Sequence, residues 1–290
     1  MIKRFSVFAI LILLFASNTY AANNTRKEKI VTSEWSVVMG NAKVANHYLS
    51  DQEHSGHVLG LSMEFGSFYK KSQNLTWDLD VTYFLSPYSG ILGGLALSNP
   101  ANTSFMSLNS FQTDYGTYYN WNPAKNLYFK VGGSFDLLAG VNIGKPNHVN
   151  NIFDVDFQTQ LKAAAGVRYG WNFKKFGLFL QADVAVPFVG MTLSSGPYES
   201  MMHGIFQSQI LPGNTSPLFF TSFHNLKGFN LDVQLDLVFR NTTLFFAKEI
   251  NNRCWDIRGI QNYRMYNLTK VGLMVDLVAR RRLNSNNRYF

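Results

Sequence analysis

The chain has 290 residues and a net charge of +8, with 26 Lys and Arg against 18 Asp and Glu, yet only 15% of it is charged while 46% is hydrophobic and 15% aromatic. A single cysteine, Cys254, excludes an intramolecular disulfide and a thiolate metal cluster. The sequence holds no Gly-rich phosphate loop, no metal-ligand spacing and no nucleic-acid motif, so it calls for no cofactor and no nucleic-acid partner despite the basic balance.

Lys3 and Arg4 precede an apolar run over residues 7–16, and Thr19-Tyr20-Ala21 supplies a small-residue cleavage site. Residues 1–21 therefore read as a cleaved export signal. The run is too short for a spanning helix, which needs about 20 apolar residues. Residues 22–32 are then a short periplasmic segment, 33–280 the folded domain, and 281–290 a basic periplasmic tail.

Period-two alternation follows in chain order. A weak strand is expected over 34–41. Leu59, Leu61, Met63 and Phe65 alternate with Gly60, Ser62, Glu64 and Gly66. Leu75, Trp77, Leu79, Val81 and Tyr83 alternate with Thr76, Asp78, Asp80 and Thr82. Phe111 to Trp121 alternates around Gln112, Asp114 and Gly116, and Leu127 to Phe135 around Tyr128, Lys130 and Ser134. The longest run, 155–173, sets Val155, Phe157, Leu161, Val167, Tyr169 and Trp171 against Asp156, Gln158, Gln160, Lys162 and Arg168. Leu178 to Phe188 alternates around Gln181 and Asp183, and Phe229 to Phe239 around Asp232, Gln234 and Asp236. A second weak strand covers 244–257, and the last places Val271, Leu273, Val275 and Leu277 against Lys270, Gly272 and Asp276.

Successive side chains of a strand point to opposite faces, so each run has one apolar and one polar face. Strands of this length with Trp and Tyr near their ends predict an all-β, antiparallel up-and-down transmembrane barrel of about ten strands (about 8–12), with lipid outside and a narrow polar interior. Short turns are expected at 71–74, 122–125, 174–175 and 241–242, and long loops at 42–55, 87–103, 141–152, 191–227 and 258–267. Short turns at one end and long loops at the other place the former in the periplasm. Lys70, Lys71, Lys125, Lys174, Lys175, Arg240 and Arg280 to Arg282 cluster at that end. They read either as anchors at lipid headgroups or as solubilising turn residues.

The last strand resembles the barrel-assembly signal read by the outer-membrane insertion machinery, with Lys270, Gly272, Val275 and Leu277 in its four positions. Further resemblance lies in His47-Tyr48-Leu49-Ser50 with Ser55-Gly56, in 97–103 (LSNPANT), in 140–151, in Val186-Pro187-Phe188-Val189-Gly190 and in Ser195-Gly196-Pro197-Tyr198-Glu199-Ser200. On these the chain resembles an uncharacterised, domain-of-unknown-function family of exported Bacteroidota proteins. The resemblance implies an outer-membrane barrel and brings no catalytic residue with it.

The inward charges form the candidate site: Asp78, Asp80, Lys130, Asp154, Asp156, Lys162, Arg168, Asp183, Asp232, Asp236 and Arg240. They read as a salt-bridged plug or as a charged eyelet for small solutes, and a barrel of about ten strands lies nearer the closed end. Calcium at Asp154 and Asp156 lacks a calcium-loop spacing. A nucleophilic Ser needs an adjacent base, and the pairs available are His54-Ser55-Gly56-His57 and Ser200 with His203. The expectation is a non-enzymatic structural or binding barrel, or a narrow gated solute path. The alternatives are a lipid-modifying enzyme and a soluble exported β-protein with a ligand pocket. Lipids and the assembly machinery are the expected partners, and the oligomeric state is left open, as is the apolar loop 191–227.

Overall fold

The computed structural model describes residues 29–45, 53–69, 75–86, 97–99, 104–124, 126–144, 153–173, 176–193, 218–239, 242–257 and 260–276. The strands are β1 (Lys29–Ala45), β2 (Glu53–Tyr69), β3 (Leu75–Ser86), β4 (Leu97–Asn99), β5 (Ser104–Ala124), β6 (Leu127–Gly144), β7 (Phe153–Asn172), β8 (Gly177–Leu193), β9 (Leu218–Ser222), β10 (Leu226–Phe239), β11 (Thr242–Ile257) and β12 (Ile260–Asp276). Ten of them close into an antiparallel barrel, each paired to its neighbour and β1 paired to both β2 and β12. The short β4 bridges β2 and β5, and β9 extends the wall beside β8.

Register fixes the barrel's geometry. From Glu34, pairing runs through Glu64, Asp80, Asp114 and Asp136 to Gln160 on β7. In the other direction it runs through Met274, Thr243, Val238 and Gly177 to Asn172 on the same strand, twelve residues further on. Ten strands with that offset tilt by about 40° and enclose an interior that side chains can fill.

The outer face is apolar. Trp35, Leu61, Tyr83, Phe111, Val131, Val167, Val184 and Leu273 are all exposed, Val131 at 62%. Aromatic rings crowd the short-turn end: Trp121 with Phe129, Tyr169 edge-on to Trp171 at 4.6 Å, and Phe173 stacked on Phe176 at 4.7 Å. Asn126, with φ 71°, makes the tight turn between β5 and β6, where a short polar side chain tolerates the left-handed region.

Several boundaries differ from the sequence expectation. The proposed loop 258–267 shrinks to residues 258–259, because β12 already begins at Ile260. β1 extends beyond 34–41 at both ends, leaving 46–52 as the connection. β8 continues to Leu193, and β9 and the start of β10 occupy part of 191–227. Phe188 does not continue the alternation of β8: Leu161 pairs with Val189 and Lys162 with Pro187, so Phe188 is the extra residue of a bulge. Residues 1–28, 194–217 and 277–290 lie outside the described residues, and with them the export signal, Ser200, His203, Leu277 and the basic tail. Arg240 does as well.

The interior is not polar throughout. Towards the long-loop end Val38, Ala42, Val44, Val58, Phe84, Met106, Leu108, Leu138, Tyr266 and Leu268 pack into one buried cluster, with Phe84 edge-on to Tyr266 at 4.8 Å. At the rim Phe219 packs on Leu226, Trp255 and Ile257. Replacing Phe84 with Ala opens a cavity there and is expected to cost about 3–5 kcal/mol. Urea unfolding of the refolded barrel measures it. Phe111→Ala, on the outer wall, is the comparison, and an equal loss in detergent would mean that the inner cluster does not carry stability.

Candidate functional site: the charged lumen

Inward parity gathers charge. Among the described side chains, eleven carboxylates and six cations point into the barrel. Five of the carboxylates, Glu34, Glu64, Asp80, Asp114 and Asp136, stand directly opposite one another on β1, β2, β3, β5 and β6. Like charges directly opposite on adjacent strands destabilise a sheet, so this ladder needs cations from the facing wall.

They come in layers. Nearest the short turns, Arg168 reaches Asp236 at 2.5 Å and lies over the Phe179 ring at 5.0 Å. Lys130 pairs with Asp183 at 2.8 Å and lies over Tyr118 at 4.6 Å. Two glycines make room: a Cβ on Gly166 would strike Asp183 and Lys130, and one on Gly170 the Phe179 ring. Above them Lys270 joins Asp80 at 2.9 Å and Glu249 at 3.0 Å. Ser62 and Thr82 both donate to Asp80.

The next layer is the most buried. Arg253 donates to both oxygens of Asp136, at 2.7 and 2.9 Å. Lys162 donates to Asp136 at 3.0 Å and Asp114 at 2.5 Å, and Gln112 also donates to Asp136. Lys162, Arg253 and Asp136 are each at most 1% exposed. The bidentate guanidinium–carboxylate fork and the second cation satisfy what burial would otherwise make costly. Nearest the long loops, Arg264 pairs with Asp156, which also accepts from Asn142.

The sequence-predicted set is thus brought to one lumen but not to one cluster. Lys130, Asp183, Lys162, Arg168, Asp236, Asp80 and Asp156 each enter an ion pair, and Asp78 lies beside Tyr118. Asp154 lies on β7 with its side chain outside the description. Lys270, assigned to the assembly signal, is also a lumenal cation, and Gly272 is inward while Val275 is outward. Sequence reasoning missed Glu34, Glu64, Asp114, Asp136, Glu249, Arg253 and Arg264. Parity alone would have found Glu64, Asp114 and Asp136, whereas Glu34, Glu249, Arg253 and Arg264 sit where alternation of apolar and polar is weak in the sequence.

Glu34, Glu64, Asp80, Asp232 and Lys270 line a cavity of about 30 Å³, room for about two waters. The catalytic alternatives fare as follows. His54 is buried inside and so is separated from the neighbouring Ser55, which faces out on the same side of β2 as His57. Ser222 Oγ lies 2.6 Å from His224 Nδ1 in the turn after β9, and among the described residues no carboxylate orients that ring.

Residues 7–282 match the family described as "Protein of unknown function (DUF3316)". The chain belongs to that family. No curated protein matches the sequence. Solved structures similar to this DUF3316 protein include an outer membrane protease and two autotransporter units. The outer membrane protease OmpT from Escherichia coli is 7% identical, over 89% of this chain and 99% of that one, at a TM-score of 0.39. The transport unit of the autotransporter AIDA-I from Escherichia coli is 11% identical, over 94% and 97%, at 0.44. The translocator domain of autotransporter NalP from Neisseria meningitidis is 8% identical, over 94% and 97%, at 0.35. Identities this low carry no activity to this chain.

Asp136→Leu strands Arg253 in the interior and is expected to cost about 3–5 kcal/mol. Asp136→Leu with Arg253→Met should cost clearly less than the two single losses added together, because they remove the same contact. Urea titration of the folded band on detergent gels reads both, and strict additivity would mean that the pair is not coupled.

Proposed function

We propose that this protein is an outer-membrane β-barrel with a non-enzymatic, structural or binding role. It is exported by its signal, inserted by the barrel-assembly machinery and embedded in outer-membrane lipid. One observation carries the reading: the apolar face is outside and the charged face is inside. A soluble β-barrel buries its apolar face and wets the other, and an apolar surface this continuous on a water-soluble monomer would be a liability. Strands of 12 to 21 residues also exceed the about 9–11 that a crossing needs.

The filled interior supports a closed barrel over a solute path. The ion-paired layers and the apolar cluster occupy successive depths of the lumen, so a permeating solute would have to displace both.

One outward charge interrupts the belt. Lys248 stands between Phe246 and Ile250, flanked by Val233 and Thr269, and donates to Thr269 at 3.2 Å. Lysine on a lipid-facing wall costs up to about 2–4 kcal/mol at the bilayer centre. Lys248→Leu is therefore expected to raise stability in lipid bilayers by up to that amount. No gain in bilayers would mean that this wall does not face hydrocarbon.

The direct test is fractionation followed by an unboiled and a boiled detergent gel. The protein is expected in the outer membrane, with the unboiled form migrating faster. Recovery from the soluble periplasm with no mobility shift would overturn the reading. In planar bilayers the purified barrel should show no steady conductance, and a stable open level would replace the closed barrel with a pore.

A further inference from the structure

Counting the lumenal carboxylates by partner isolates one place. Asp80, Asp114, Asp136, Asp156, Asp183, Asp236 and Glu249 each meet a lysine or arginine. Glu34, Glu64, Asp78 and Asp232 enter no ion pair or hydrogen bond among the described residues. Three of those four, Glu34, Glu64 and Asp232, line the same cavity. Glu34 is 6% exposed, and its direct cross-strand neighbour is Glu64. Lys270, the one cation lining the cavity, is already shared between Asp80 and Glu249. An isolated buried carboxylate is costly in a low-dielectric interior, and three around one space are more so.

We propose that this cavity is a binding site for a small monovalent cation of sodium or potassium size, held by Glu34, Glu64 and Asp232 with part of its hydration retained. The volume suits an ion with a water. Among the described residues no three carboxylates converge closely enough to ligate a metal ion directly, so an ion here is reached in part through its retained water. Ser36, Ser62 and Gln234 complete a polar lining able to hydrogen-bond a retained water. Bound there, the cation supplies the charge that Lys270 cannot, and it ties β1 and β2 to β10 across the lumen.

The inference rests on the closed-barrel reading, but its test stands apart. The full-length mature protein, refolded in detergent at fixed pH, is melted in sodium, potassium or choline chloride at one ionic strength of about 0.2 M, with heat modifiability confirming the barrel. Ligand binding to the folded state alone should raise the midpoint in sodium or potassium over choline by roughly 2–4 °C. Glu34→Gln and Asp232→Asn should each abolish the difference, while Glu53→Gln, outside the lumen, should leave it intact. Should Glu34→Gln fail to fold, Glu64→Gln takes its place. A heat-modifiable barrel whose midpoint is the same in all three salts overturns the site and leaves the barrel reading standing. A salt effect that survives Glu34→Gln and Asp232→Asn, or one produced by micromolar calcium instead, overturns it too. Loss of heat modifiability in every salt would sink the barrel reading itself, and this inference with it.

Discussion

Ten strands closed with a twelve-residue offset leave a narrow interior, so the inward side chains largely satisfy one another. That constraint orders everything else. The pleat decides which residues point inward, the register decides which of them meet, and both are set before any charge pair forms. The acidic ladder from Glu34 to Asp136 follows from register alone. The cations that answer it, Lys162, Arg253 and Lys270, come from β7, β11 and β12, outside the ladder's own strands. Arg253 to Asp136, 117 residues apart, and Lys270 to Asp80, 190 apart, are ties across the lumen between strands far apart in sequence, while Lys162 reaches Asp136 from the neighbouring strand. A barrel wall holds only neighbours together, and these pairs fix its cross-section.

The chain's charge is sorted by this arrangement. It is basic overall, but its described interior is acidic by count, with eleven carboxylates against six cations. The sorting explains why composition alone misleads: a net positive value for the molecule conceals a lumen short of cations.

The long strand β7 was legible because its two faces differ at nearly every step, apolar outside and polar inside. The ends of β1 and β12 were not, and the reason is physical. On that wall, towards the long loops, the contrast inverts. Val38, Ala42, Val44, Tyr266 and Leu268 point inward and are buried, while Asn41 and Lys43 point outward. A reader expecting apolar residues outside meets polar ones and sees a loop, which is how 258–267 and 42–55 were drawn too long. The lumenal acids were visible as residues, but their partners were not. Parity says that Arg253 and Arg264 face inward, yet only the closed register says that they meet Asp136 and Asp156.

The same inversion says how the molecule is built along its axis. At the short-turn end the barrel is apolar outside, ringed with aromatics and charged within, the order suited to lipid. Along β1 and the middle of β12 the inner face turns apolar, with Arg264 beyond it towards the long loops, while Asn41 and Lys43 point outward, an order closer to that of a water-soluble core. A crossing needs about 9–11 residues, and β1 and β12 have 17 each, so the surplus on this wall has the chemistry to stand in water and the rest the chemistry to stand in lipid. The two orders meet where Lys270 holds Asp80 and Glu249 below the cluster of Phe84, Tyr266 and Leu268. The orphan carboxylates lie at that junction. Above them is the apolar cluster and below them are salt bridges already made, so whatever charge these carboxylates carry is answered within the cavity between.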